Sequence, residues 1–394
     1  MGEAYLLMAG PLVWDVKTKL GVSGTVLFLV LLFLQSTAFQ STSLGTELLS
    51  VTRLEELAGR TQLQVIREDI AAISVVRVPN TPSHLRVQQY ITREIKQHTQ
   101  WKLETHRFAD NTPLGPNEFT NIIATWSPLA KTSPRFSQPE NERRVILAAH
   151  YDSKTFDFEF VAATDSGVAC SLLLDLIRTL EEETKRFSTH RSAKVNSQLS
   201  LQVIFFDGEE AYKDWTDTDS LYGSRALAQK WKEADHAFST SQKEGQTLSG
   251  EDKAKRRSSG INNIEVFILL DLIGAKDPIP QFYSYFSNTN VVFQQLSLLE
   301  KRLVQEQLYD TSNIPQARRS NPYLSPSTVP RPYQVSDDHL PFLRQGVPVV
   351  HLIPYGFPKV WHKAGDNLRA VDEVQVRNWS TLLRVWVAEY FNFE

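Results

Sequence analysis

Apolar residues along this chain recur with two periods. From Ser50 to Ala72 they return at helical spacing, as Leu54, Leu57, Leu63, Val65, Ile66 and Ile70. Asn80-Thr81-Pro82 interrupts that pattern, and Ser83 is placed to cap a second helix running to about His98. Trp101 to Phe108 and Asn121 to Trp126 alternate as strands do, with a turn at Pro113 to Pro116 between them. Four short runs then read as strands buried on both faces: Arg144 to Ala149, Leu201 to Phe206, Ile264 to Asp271 and Gly346 to Ile353. Helical patterns cover Gly167 to Glu183, Val291 to Leu308 and Val371 to Phe391. Two polar stretches break the alternation. Lys232 to Asn262, rich in Ser, Lys, Glu and Gly, reads as a mobile, solvated surface insertion, and Tyr309 to Pro332 as a long loop. Strands alternating with helices predict a three-layer α/β/α sandwich around a central, mostly parallel mixed sheet. No internal repeat or domain boundary emerges, so residues 39–394 read as a single domain.

The first 38 residues have a different character. Lys17 and Lys19 precede fifteen uncharged residues from Leu20 to Leu34, and Ser36-Thr37-Ala38 supplies a small-x-small cleavage pattern. A bilayer span needs about 20 apolar residues, so the segment predicts a cleaved signal peptide and secretion. Counting on to Phe39 leaves a signal anchor with a luminal body as the alternative. The net charge of −3 gives no basic field for nucleic acid. A single cysteine, Cys170, excludes an intrachain disulfide. Asn378-Trp379-Ser380 is a glycosylation sequon.

The chemistry gathers where the four buried runs end. The first is followed by His150-Tyr151-Asp152, with Asp165 a short loop beyond, and the second by Asp207-Gly208-Glu209-Glu210. The third ends in Asp271, and Trp361-His362 follows the fourth. Ligands of open α/β sheets sit beyond the carboxyl ends of the strands. Singly, each residue has an ordinary role as a cap or a core histidine; at successive strand ends they point to one site. Zinc accepts imidazole nitrogen and carboxylate oxygen, and a catalytic zinc keeps three protein ligands and an open position. Asp165, Glu210 and His362 make such a set, with Glu209 left over as a base.

These residues stand in ordered motifs: His150-Tyr151-Asp152-Ser153-Lys154, Ala163-Thr164-Asp165-Ser166, Phe205-Phe206-Asp207-Gly208-Glu209-Glu210-Ala211, Asp219-Ser220-Leu221-Tyr222-Gly223-Ser224-Arg225, Leu270-Asp271-Leu272-Ile273-Gly274-Ala275, Asp337-Asp338-His339-Leu340-Pro341-Phe342-Leu343 and Val360-Trp361-His362. From about Leu54 to Phe391 the chain closely resembles the animal glutaminyl-peptide cyclotransferases, or glutaminyl cyclases, which have a zinc aminopeptidase-like fold. The resemblance implies one zinc per chain, held by Asp165, Glu210 and His362. It implies Glu209 as proton shuttle and Asp271 as a catalytic partner, with Asp337 supporting it through a hydrogen bond. Trp215, Phe357 and Trp361 match pocket-lining positions. Substrates would be peptides and proteins with N-terminal glutamine or, more slowly, glutamate, converted to pyroglutamate with release of ammonia or water. The resemblance further implies a monomer in the secretory pathway, either secreted or held in the Golgi membrane by a single type II anchor. Two residues depart from the family: Ala149 stands where a cysteine commonly pairs with the position of Cys170, and Ser336 replaces a common glutamine. The rival reading is a two-metal aminopeptidase, with His150 and Asp271 holding a second zinc and Asp165 bridging. A binding module with a catalytically dead fold is the non-enzymatic alternative.

Overall fold

Four adjacent strands run parallel, and their order brings the chemistry-bearing loops to one edge. The structure, a computed structural model, describes residues 48–128, 142–189, 198–243, 260–332 and 335–393. The targeting segment 1–38 and the Lys253 to Ser259 basic cluster lie outside those residues. Among the described residues no helix is long and apolar enough to cross a membrane.

The strands are β1 (Lys102–Thr112), β2 (Gly115–Trp126), β3 (Arg143–His150), β4 (Leu199–Phe206), β5 (Ile264–Leu270) and β6 (Val349–Leu352). They form one sheet in the order β1-β2-β4-β3-β5-β6. The β1–β2 hairpin is antiparallel and joins β4 antiparallel, whereas β3 runs parallel to β4 and β5, and β5 parallel to β6. Every residue of β4 and β5 is buried, as expected for strands covered on both faces. The mixed, mostly parallel sheet read from the sequence is the one observed.

The helices are α1 (Val51–Ala58), α2 (Leu63–Ile73), α3 (Pro82–Lys96), α4 (Val168–Thr179), α5 (Glu181–Thr189), α6 (Tyr222–Lys243), α7 (Asn290–Gln305), α8 (Leu340–Leu343) and α9 (Glu373–Phe391). Ser50 caps α1 through Arg53 N, and Thr81, rather than Ser83, caps α3 through His84 N. On one face of the sheet, Leu227, Ala228 and Trp231 of α6 and Phe342 of α8 pack with Ile146, Ile204, Phe206, Phe267 and Val349. A buried ion pair ties three other helices together. Arg384 of α9 meets Asp175 of α4 at 2.9 Å and donates to Leu57 O of α1 at 2.6 Å.

Three expectations need correction. Lys232 to Lys243, assigned to a mobile insertion, continues α6. Its Lys, Glu and Ala content favours helix once Leu227, Ala228 and Trp231 anchor the preceding turns; Asp235 then accepts Asn262 N at 2.9 Å. The helix expected over Gly167 to Glu183 is two helices that meet at Leu180, because α5 starts anew with three glutamates, Glu181 to Glu183, in its first turn. The Asn378 sequon is no glycan site in the folded chain: Asn378 is fully buried in α9, and its Nδ2 donates to Asp310 O at 2.8 Å.

Candidate active site

The carboxyl ends of β3, β4, β5 and β6 open onto a common floor, and each loop that leaves them is fixed by buried polar anchors. After β3, the chain wraps around Arg77, which is fully buried. Its guanidinium donates to Tyr151 O at 2.7 Å, Val161 O at 2.5 Å, Ala162 O at 2.9 Å and Asp165 O at 3.3 Å. Asp366 secures the same loop from the other side, accepting Thr164 N at 2.8 Å and Thr164 Oγ1 at 2.9 Å. Four carbonyls and one threonine thus aim Asp165.

At the end of β4, Asp207 accepts Thr120 N at 2.7 Å and lies 2.9 Å from His84 Nε2. Gly208 turns the chain with φ of +68°, and a Cβ there would stand 2.5 Å from the Phe119 ring. Only glycine meets both demands. Gly208→Ala is therefore expected to lower stability by at least about 2 kcal/mol, left-handed backbone and overpacking combined, read from a urea-unfolding midpoint. Beyond the turn, the two carboxylate oxygens of Asp152 accept Glu209 N at 3.0 Å and Glu210 N at 3.2 Å. One buried aspartate therefore orients both glutamates.

The structure brings Asp165, Glu210 and His362 together. One ligand atom from each lies within 4.8 Å of the other two. His362 Nε2 is 3.4 Å from Glu210 Oε1 and 3.6 Å from Asp165 Oδ2. Those two oxygens are buried and, among the described residues, have no hydrogen-bond partner. Two unsatisfied anionic oxygens facing one imidazole nitrogen are a costly arrangement without a cation between them. Burial pushes the Asp165 carboxyl up to about 7, reinforced by the Glu210 and Asp271 charges and opposed by His150. His362 is raised despite burial, because Glu210 and Asp165 favour its charged form. The donors, one nitrogen and two carboxylates, suit a borderline cation. Lys154 Nζ, 3.3 Å from Glu210 Oε2, holds the other oxygen of that carboxylate.

Glu209 is only 6% exposed. Burial, with Glu210, Asp337 and Asp338 nearby, pushes its carboxyl well above the usual range, against the pull of His150. Asp271 accepts the Ser166 hydroxyl, and Asp337 pairs with His351 Nε2 at 2.7 Å. These partners occupy one oxygen of each acid, Oδ1 of Asp271 and Oδ2 of Asp337. The two acids interact through charge, Asp271 adding to the burial that raises Asp337. His150 forms a second possible ligand group with Asp165 and Asp271. In that group Asp165 Oδ1 already has His150 Nε2 at 3.2 Å, and Asp271 Oδ1 has Ser166. Asp337, His339 and His351 form a third possible ligand group.

Aromatic rings surround His362. Trp361 stacks on it at 4.1 Å between centroids, Phe156 and Phe160 meet it edge-on at 5.5 and 5.9 Å, and Phe357 packs on Trp361 at 4.8 Å. Trp361 is 38% exposed and Trp215 41% exposed. Trp215 stands on a separate loop that Asp219 organises by accepting Tyr212 N, Lys213 N and Asp214 N. The described residues give Trp215 no ring contact with Phe357 or Trp361. Cys170 is buried and free, its Sγ donating to His150 O at 3.0 Å.

Sequence reasoning missed the anchors. Asp152 stood inside a quoted motif but drew no role, and His351 was visible as the one polar residue in an apolar strand. Arg77 and Asp366 carry no local signal, since their partners are distant backbone atoms. Asp152→Ala frees two amides at once. Because groups that orient metal ligands matter nearly as much as the ligands, a fall of about 10–100-fold in metal affinity is expected, measured by competition with a chelating dye.

Comparison with known proteins agrees with this geometry. Residues 121–387 match peptidase family M28. Glutaminyl-peptide cyclotransferases of the snake Boiga irregularis and of Bos taurus are each 36% identical over 352 residues. The matches cover 88% of this chain and 86% and 87% of those proteins. The crystal structure of the Macrostomum lignano glutaminyl cyclase superposes with a TM-score of 0.69 at 28% identity, covering 88% of this chain and 94% of that one. The chain belongs to peptidase family M28 and to the glutaminyl-peptide cyclotransferase family.

Proposed function

We propose that this protein is a zinc-dependent glutaminyl-peptide cyclotransferase of the secretory pathway, converting N-terminal glutamine, and more slowly glutamate, to pyroglutamate. The observation that carries the reading is the pair of orphaned oxygens, Asp165 Oδ2 and Glu210 Oε1, aimed at His362 beside a spare buried carboxylate, Glu209. Asp165, Glu210 and His362 would hold one zinc. When bound, zinc supplies Lewis acidity toward an amide oxygen.

The remaining work falls to the chain itself. The substrate's own α-amine attacks its side-chain amide carbon; a C–N bond forms, the bond to the amide nitrogen breaks, and ammonia leaves. Both reacting groups belong to one residue, so the site has mainly to hold them folded together. Glu209, with its raised proton affinity, takes a proton from the amine and returns it to the departing nitrogen. Asp271, held by Ser166, accepts a hydrogen bond from the amine or the leaving group. Phe357, Trp361 and, from the facing loop, Trp215 form apolar walls that exclude water and so suppress hydrolysis.

The aminopeptidase reading needs a second metal at His150, Asp165 and Asp271. There Asp271 Oδ1 already accepts the hydroxyl of Ser166, which is no metal ligand, whereas Asp165 Oδ2 and Glu210 Oε1 have no hydrogen-bond partner among the described residues, which favours the single-metal reading. Incubating the protein with Gln-Phe-Ala and Leu-Phe-Ala separates the two. Cyclisation predicts a pyroglutamyl peptide and ammonia from the first and no reaction with the second. Free leucine would support the peptidase.

A further inference from the structure

We propose that Arg331, clamped between Tyr283 and Tyr355, is a specificity residue that binds a carboxylate of the substrate downstream of its N-terminal residue. The inference rests on the cyclase reading and assigns a preference to it. The Arg331 guanidinium carbon lies 3.7 Å from the Tyr355 ring centroid and 4.6 Å from that of Tyr283. The two rings meet edge to face at 5.5 Å. Cation–π contact with both rings, which stand 71° apart, holds the guanidinium in place. Among the described residues Arg331 forms no ion pair with an acid. By contrast, Arg302, Arg344 and Arg384 each pair with a carboxylate. A planar, half-buried cation without its own counter-ion suits bidentate recognition of a carboxylate.

The clamp belongs to the rim of the site. Tyr355 lies two residues before Phe357, a reach of at most about 7 Å along the chain, in the loop that carries Trp361 and His362. Tyr285, two residues after Tyr283, donates its hydroxyl to Ile353 O at 3.1 Å and meets the ring of His351 at 6.3 Å. Arg331 N donates to Ser284 O at 2.7 Å, which fixes the main chain beside the clamp. The same rim carries exposed Lys359 and Lys363; Lys359 is paired with Asp277 at 2.7 Å, whereas the Lys363 ammonium meets only the Lys359 carbonyl at 2.8 Å. The loop bearing Trp215 carries exposed Lys213 beside Asp214 and Asp217, and Asp217 pairs with Arg344 at 3.0 Å. On the Tyr355 side, Arg331 and Lys363 have no acidic partner among the described residues, which favours an acid there.

The test uses the full chain and N-terminal glutamine peptide amides with glutamate, alanine or lysine at the second, third or fourth position. Equilibrium dissociation constants by calorimetry are measured beside cyclisation kinetics. At one of the three positions glutamate is expected to bind about tenfold tighter than lysine, with the advantage in KM and not in kcat. Arg331→Gln should erase that ratio while leaving the alanine peptides unchanged, and Arg331→Lys should restore part of it. An unchanged glutamate-to-lysine ratio in Arg331→Gln, or no ratio in the wild type, would overturn the proposal. Absent turnover of the alanine peptides would instead count against the cyclase reading, while the binding ratio still decides on Arg331.

Discussion

Replacing Glu209 with glutamine is expected to lower cyclisation by at least about 10²-fold while zinc stays bound, the usual value of a positioned acid–base group. Glu209 and Glu210 are neighbours with different surroundings. Glu210 turns one oxygen to Lys154 and the other toward His362. Glu209 is the spare acid, its backbone amide held by Asp152 just beyond the Gly208 turn. Glutamine preserves shape and burial but cannot accept and return a proton. The check is a steady-state rate on Gln-Phe-Ala beside metal analysis of the same preparation. Loss of zinc in Glu209→Gln would mean that the two glutamates have exchanged roles.

Asp165→Asn is expected to have the larger effect, removing zinc and activity together. This carboxylate faces His362 with one oxygen and His150 with the other. Its amide analogue keeps one acceptor and no charge, so the cation loses a ligand and His150 loses an anionic partner. Metal affinity should fall by more than about 10²-fold, exceeding the effect expected for an orienting group such as Asp152. Cyclisation should fall below detection at micromolar zinc. The fold should persist, because Arg77 and Asp366 hold the loop through its backbone and through Thr164, and not through the Asp165 carboxylate. Circular dichroism and an unfolding curve close to that of the wild type would confirm that the loss is local.

The sheet was legible because parallel strands buried on both faces leave unbroken apolar runs, as in β4 and β5, whatever their partners are. The meeting of Asp165, Glu210 and His362 was legible for a related reason: metal-type residues at successive strand ends stand out against such runs. What the sequence hid is long-range. Nothing near Arg77 shows that its guanidinium will bind three carbonyls more than 80 residues away. Nothing near Asp271 shows that Ser166 will donate to it. Helix limits were misread where composition and context disagree. The Lys232 to Lys243 stretch has a solvated composition but is carried by the anchored turns before it, and the run after Gly167 contains a helix restart at Glu181.

Crystals of the protein grown with equimolar zinc, measured on either side of the zinc absorption edge, test the central claim most directly. The account predicts one anomalous peak per chain, bounded by Asp165 Oδ2, Glu210 Oε1 and His362 Nε2. A peak held instead by His150, Asp165 and Asp271, or none at either place, would contradict it.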